Sequence, residues 1–323
     1  MTALAVQSTF TPAAADLTLS VNSEYRFNLA NYLDRYLADL DASAKTVEAY
    51  RRCLMRLFEY LSLNNIEKPT KADIIAYRNR LAETHKPGTV QTYLTAARLF
   101  FVWTNDEGVY TNNIPNVRGP KTDRSPKKDY LTVDQVNNVF HAIDRGTLQG
   151  KRDYAILATM LGCGLRCIEV VRANIGDMRP RAGEMVLYVQ GKGHADKDTF
   201  ISMSPKTEKV IREYLAARGE TNEDAPLFAG TGNRNKGGRL TTRSISGLMK
   251  KAMQGAGYNS SRLTAHSLRH TAVTQAILEG DNLAKVQQFA RHADIKTTMI
   301  YNHALEREQN HCSHHVMDAY NID

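Results

Sequence analysis

At 323 residues, with 42% hydrophobic side chains and a net charge of +8, the chain is long enough for two domains with real cores, and basic enough to favour a polyanionic partner. Its four cysteines, Cys53, Cys163, Cys167 and Cys312, have neither metal-ligand spacing nor the density of a disulfide framework, which points to a reducing, cytoplasmic setting. No run approaches the roughly 20 apolar residues of a membrane span. Residues 1–23 lack the basic start and apolar core of a signal peptide, and read as a flexible tail.

From residue 24 the pattern is helical. Leu29, Tyr32, Leu33, Tyr36, Leu37 and Leu40 form one stripe, and Val47, Tyr50, Leu54, Leu57, Phe58 and Leu61 form a second after a break at Ala42 and Ser43. Thr70 is placed to cap a third helix carrying Ile74, Ile75 and Leu81. A Pro87-Gly88-Thr89 break starts a fourth, with Val90, Tyr93, Leu94, Ala97, Phe100 and Phe101. These predict an all-α bundle over 24–111 in which the aromatic side chains serve as core. Residues 112–128 hold three prolines together with Arg118, Lys121, Arg124, Lys127 and Lys128, and read as a stiff basic linker suited either to lie along phosphates or to act as a solvated tether.

Thr132 followed by Gln135 is a capping-box pattern that opens a second domain over 129–323. Met185–Val189 and Thr199–Met203 flank a Gly191-Lys192-Gly193 turn and predict a β-hairpin. Helical patterns resume at Ser204-Pro205, near Thr241, after His266, after Asp281 and around Thr297. The expected fold class is therefore mainly α with a small β-hairpin or sheet in the second domain. From Gly230 to Leu278 there is no Asp or Glu, while Arg234, Lys236, Arg239 and Arg243 are among eight basic residues within it. This predicts one strongly positive face, with TGNRNKGG as a glycine-rich, flexible loop that touches a phosphate backbone or stays mobile.

Breaking a phosphodiester bond without a metal requires a nucleophile, cations for the non-bridging oxygens, an acid for the leaving oxygen, and hydrogen-bond donors. The second domain supplies each type. Arg166 stands in Gly164-Leu165-Arg166 ahead of Glu169, at a predicted helix start. His266 and Arg269 are three apart on one helical face, and Tyr301 follows His292 by nine residues. A tyrosine alone, one of fifteen, would read as packing, and Arg166 alone as a surface partner of Glu169.

Taken in order, LGCGLRCIEV, QGKGHADK, AHSLRHTAVTQAILEG and FARHADIKTTMIYNH resemble the motifs of the tyrosine recombinase family, which includes Cre, the Xer recombinases and the lambda-type phage integrases. The resemblance spans the chain. It implies a helical core-binding, SAM-like bundle followed by a catalytic domain, and site-specific recombination of double-stranded DNA through a 3′-phosphotyrosyl intermediate and a Holliday junction. By position, Tyr301 is the nucleophile, Arg166 and Arg269 clamp the scissile phosphate, and Lys192 protonates the 5′ leaving oxygen. His266 and His292 assist at the phosphate or the tyrosine, and Glu169 orients its neighbours. The resemblance also implies a homotetramer on DNA, with the C-terminal segment around Val316, Met317 and Tyr320 exchanged between protomers or docked on its own domain. It implies no metal, no ATP and no other cofactor, and a cytoplasmic, nucleoid-associated protein.

Arg291 departs from the pattern, since the family usually has glycine before the second histidine; it predicts an added phosphate contact or an altered turn. His270 reads as packed against its own helix. His311, Cys312, His314 and His315 are poorly spaced for a metal. Integration, excision, inversion and dimer resolution all remain open at this level. So do a type IB topoisomerase-like activity and a catalytically silent DNA-binding relative, although no expected catalytic group is missing.

Overall fold

The computed structural model describes residues 29–112, 114, 117–121, 129–191 and 196–308. The tail 1–23, Arg124, Lys127, Lys128, Lys192, the histidines and cysteine of 311–315, and Val316, Met317 and Tyr320 lie outside these residues. The chain divides into two compact units, 1–122 and 123–323.

In the first unit a 3₁₀ turn at Leu29–Tyr32 leads into α1 (Leu33–Asp39), followed by α2 (Ala44–Leu63), α3 (Lys71–Thr84) and α4 (Pro87–Asp106). The caps are written in the sequence. Ser43 accepts from the backbone N–H of Thr46, Thr70 and Asp73 form a reciprocal capping box, and Pro87 occupies the first turn of α4. The predicted stripes form the core: Leu54, Leu57, Val90, Phe100 and Phe101 are fully buried, each side chain contributing roughly 1.5–3 kcal/mol of apolar transfer. The Phe100 ring meets Tyr36 and Phe58 edge-on, at 5.3 and 5.4 Å between centroids. Ile114 and Val117 are also buried in this core, and Arg78 donates to the Arg118 carbonyl. Packed chain thus extends into the stretch that reads as linker.

The second unit carries α5 (Val133–His141), α6 (Leu148–Gly162), α7 (Cys167–Arg172), β1 (Met178–Arg181), β2 (Glu184–Val189), β3 (Thr199–Ser202), α8 (Pro205–Arg218), α9 (Thr242–Gly255), α10 (Ala265–Leu278), α11 (Leu283–Ala290) and α12 (Ile295–Glu308). Ile156, Leu157 and Met160 of α6 lie in its main core with Leu187, Ile211, Ile245, Met249 and Leu268. The predicted hairpin is two strands of a three-stranded antiparallel sheet ordered β1-β2-β3. The sequence hides β1 because Pro180 interrupts it and its turn is Ala182-Gly183. Both turn residues have positive φ (49° and 83°), a conformation normally signalled by Asn-Gly or Asp-Gly. Leu187, Val189 and Ile201 face the core, while Arg179 lies over Tyr188 and Arg181 over Phe200 on the outer face, at 4.0 and 4.1 Å from the ring centroids.

The glycine-rich loop is laced together rather than open. The Gly230 N–H donates to the Gly238 carbonyl at 2.8 Å, Gly237 donates back to the Gly230 carbonyl, and the Asn235 side chain donates to the Arg239 carbonyl. A Cβ on Gly230 would stand 2.1 Å from the Asn235 carbonyl oxygen, so the loop requires glycine there for closeness of approach. Among the described residues no helix is long and apolar enough to cross a membrane.

Ala182 occupies a left-handed conformation in which a side chain costs about 1 kcal/mol relative to glycine. Ala182→Gly is accordingly expected to raise unfolding stability by ~0.5–1 kcal/mol, read as a higher denaturation midpoint at unchanged slope. An unchanged or lower midpoint would count against the turn geometry.

Candidate active site

Two turns and one helix of the second unit converge. The first joins α6 to α7: Gly164 has φ 56°, and a Cβ there would stand 2.9 Å from the Phe289 ring, so both backbone and space call for glycine. Two residues on, Arg166 is the N-cap of α7. Its backbone N–H donates to Glu169 Oε2 at 2.7 Å and its Nη1 to Oε1 at 2.8 Å, so the arginine and the acid are locked together by the first helical turn.

The second element is α10. Arg269 is 1% exposed, donating through Nη1 to the Gly164 carbonyl (2.7 Å) and through Nη2 to the Ala290 carbonyl, with Glu169 at 4.0 Å. Burial, then the charges of Arg166 and Arg291, push Arg269 down to about 9 against the opposing pull of Glu169 and Tyr301, which leaves it a cation at neutral pH. His266, in the first turn of α10, is exposed and close enough for its charge to lower both His270 and His292.

The third is the turn from α11 to α12. His292 Nδ1 is 3.0 Å from Thr298 Oγ1, and the His292 ring stacks on Tyr301 at 5.9 Å and 23°. Burial first, then Arg269, Arg166, Arg291 and His266, lower His292 to about 4. The neutral ring carries one N–H, either on Nδ1 toward Thr298 or on Nε2. Tyr301 is 9% exposed, packed with Val273, Val286 and Ala290. Burial raises its hydroxyl above the ordinary value, opposed by Arg269 and Arg166.

Glu169, fully buried, is the carboxylate around which these elements meet. Burial works to raise it, but Arg291, by charge and hydrogen bond, with Arg166 behind it, holds it below the usual carboxylate range. The structure thus brings together Arg166, Glu169, Arg269, His292 and Tyr301, with His266 at the edge. Lys192 lies outside the described residues. The other lysine of that hairpin, Lys197, is engaged by Asp177, and Gly191, beside Lys192, accepts from Arg172 at 3.1 Å.

Among the described residues, the tentative DNA-contact side chains divide into an exposed set and one that is engaged. Arg118, Lys121, Arg234, Lys236 and Arg243 are exposed. Arg239 spends its guanidinium on the Val171 and Ala173 carbonyls and on Asn174, which ties the loop to the end of α7.

Two features escape sequence reasoning. His270 is sandwiched between Tyr130 (5.8 Å, 12°) and Tyr301 (4.6 Å, 46°), and burial, with His266 behind it and Asp129 opposing, lowers it to about 4. It therefore packs against the ring of Tyr301 as well as its own helix. Arg291 points inward: its guanidinium is on Glu169, not on the surface. Only glycine at the equivalent family position gives any hint of this, by marking a left-handed turn.

Comparison with known proteins follows this geometry. The model of the phage integrase family matches residues 129–308, and that of the phage integrase N-terminal SAM-like domain matches 29–108. The chain belongs to the phage integrase family of tyrosine recombinases. A tyrosine recombinase XerC of Pseudomonas fluorescens is 30% identical over 84% of this chain and 91% of its own length. A XerC of Thermodesulfovibrio yellowstonii is 26% identical over 86% and 92%. Among solved structures, a XerH recombinase in a post-cleavage complex with palindromic difH has a TM-score of 0.71 at 19% identity, covering 88% of this chain and 84% of that one. A lambda integrase dimer bound to a COC′ core site has 0.68 at 17%, covering 84% and 94%. These likenesses establish the fold of this tyrosine recombinase: helical, with a SAM-like N-terminal domain and an integrase catalytic domain carrying a small antiparallel sheet.

With His270 and His292 both held near 4, this recombinase loses stability as pH falls from about 6.5, the unfolded histidine value, toward 4, since the unfolded chain binds the protons first. Following the histidine ring protons by NMR should show neither residue titrating above pH ~5.5. A midpoint between about 6 and 7 for either would contradict the buried, neutral assignment.

Proposed function

We propose that this recombinase exchanges strands between specific double-stranded DNA sites, with Tyr301 as nucleophile. The observation that carries the reading is the meeting of Tyr301, His292, Arg269 and Arg166 around one buried carboxylate. Tyr301 Oη attacks the scissile phosphorus, a 3′-phosphotyrosyl bond forms, and the bond to the 5′ oxygen breaks. Lys192 donates a proton to that oxygen. The tyrosine proton leaves to a neighbouring base, with His266 the exposed candidate. Arg166 and Arg269 provide fixed cationic donors to the non-bridging oxygens, and neutral His292, with its proton on Nε2, adds another. Glu169 sets the arginines in place.

Attack by the freed 5′ hydroxyl of the other site reverses the chemistry and reseals the strand. Because the phosphotyrosyl bond conserves the phosphodiester energy, exchange requires no ATP. Two such exchanges through a Holliday junction complete recombination within a homotetramer, with the C-terminal segment exchanged between protomers. In this scheme residues 24–111 form the core-binding domain, 112–128 the basic linker and 129–323 the catalytic domain. The linker residues Arg118, Lys121, Arg124, Lys127 and Lys128, with Arg234, Lys236 and Arg243, supply backbone contacts, whereas Arg239 serves the loop itself. DNA-bound structural neighbours, among them a lambda integrase tetramer on a Holliday junction, support the reading.

The test is covalent trapping on a nicked site selected by binding from randomised duplexes. Wild type should yield a denaturation-resistant protein–DNA adduct and Tyr301→Phe none; an adduct in the Phe variant would remove Tyr301 from this role. Relaxation of supercoiled plasmid lacking the site would instead favour a topoisomerase-like activity.

A further inference from the structure

Arg291 has no task in the scheme above, yet it is held against two physical costs. Its backbone is left-handed (φ 54°), which costs an L-residue about 1–2 kcal/mol. Its long side chain is 9% exposed, which sacrifices up to ~2 kcal/mol of rotamer freedom. The contacts it makes are specific. Nη2 donates to Glu169 Oε2 at 2.8 Å and to the Gly164 carbonyl at 2.8 Å, and Nε reaches Glu169 Oε1 at 3.4 Å. Nη1 donates to the Phe289 and Cys163 carbonyls at 2.6 and 3.2 Å. Both oxygens of Glu169 are therefore engaged by Arg291 as well as by Arg166, and Arg166 Nη2 in turn donates to the Arg291 carbonyl at 3.3 Å.

The electrostatics follow from this sharing. A buried carboxylate facing Arg166 alone would be its full counter-ion, and would compete with a phosphate for that guanidinium. A second guanidinium on the same carboxylate divides its charge. Three arginines around one carboxylate leave the cluster at +2, where two would leave +1, and Arg166 is the one with an exposed edge, 28% of its side chain, against 1% for Arg269 and 9% for Arg291. We infer that Arg291 is a positioning residue of the recombination reaction: it takes up the Glu169 carboxylate, so that Arg166 is anchored by Glu169 without being neutralised and presents its charge to the scissile phosphate. This rests on the assignment of Arg166 to the phosphate proposed above.

Arg291→Gly is the informative variant, because glycine accepts the left-handed backbone without strain and only the guanidinium is lost. At saturating nicked site, single-turnover cleavage should fall at least ~10-fold while the dissociation constant for the site stays within about threefold. Arg291→Lys, a point charge without the fork, should lie between. In a Glu169→Gln background the same glycine substitution should change the rate less than about twofold. A rate for Arg291→Gly within about twofold of wild type, or an equal fall in the Gln background, overturns the inference.

Acid unfolding supplies a readout free of DNA and of the Gln variant. Glu169 faces Arg166 from α7, Arg269 from α10 and Arg291 from the end of α11. Its folded titration lies below the unfolded one, so its stabilisation is present above the unfolded value and is lost as pH falls through the lowered value. Removing Arg291 should move that loss to higher pH; an unchanged acid midpoint overturns the inference. A wild-type protein that forms no adduct on any DNA defeats the proposed function instead, and the acid-unfolding comparison still decides whether Arg291 holds Glu169.

Discussion

The buried carboxylate of Glu169 is the constraint on which the site depends. A carboxylate wholly removed from water is stable only when its charge and lone pairs are met. Here they are met by Arg166 side chain and backbone, by Arg291, and at longer range by Arg269. Each of these residues belongs to a different element. Satisfying one carboxylate therefore fixes the mutual positions of the α6–α7 turn, the first half of α10 and the α11–α12 turn. The Gly164 carbonyl reinforces the arrangement by accepting from both Arg269 and Arg291.

The proposed nucleophile is placed by packing rather than by charge. Tyr301 rests between the rings of His270 and His292 and on Val273, Val286 and Ala290, so its position is set by three helices meeting over a small apolar cluster. The same burial that orients the ring raises its hydroxyl, and the arginines oppose that rise. Positioning and activation thus pull against each other. Cations held close by Glu169 reconcile the two demands, because they lower the cost of the phenolate without opening the packing around the ring.

Much of this was legible in the sequence, for identifiable reasons. Ser43, Thr70, Thr132 and Ser204 are side chains that cap helices by local hydrogen bonds, and local chemistry is what a sequence records. The identity and order of Arg166, His266, Arg269, His292 and Tyr301 were legible through motif resemblance, and the fold brings all five to one region. What was hidden is non-local or runs against local preference. β1 escaped because Pro180 and Ala182 contradict strand and turn chemistry, and the sheet overrides both. The glycine-rich loop promised flexibility by composition, whereas its glycines serve close backbone approach. Arg239 reads as a DNA contact and Arg291 as a phosphate contact or an altered turn, yet their guanidiniums serve carbonyls and a carboxylate remote in sequence. Thr298, which holds His292, carries no motif at all.

The most direct test of the account is to identify the residue that becomes bonded to DNA. Wild-type protein trapped on a nicked site would be digested with nuclease and protease, and the nucleotide-bearing peptide sequenced by mass spectrometry. The account predicts a single phosphotyrosyl linkage at Tyr301. Attachment at any other of the fifteen tyrosines, or at a residue of another type, would contradict it.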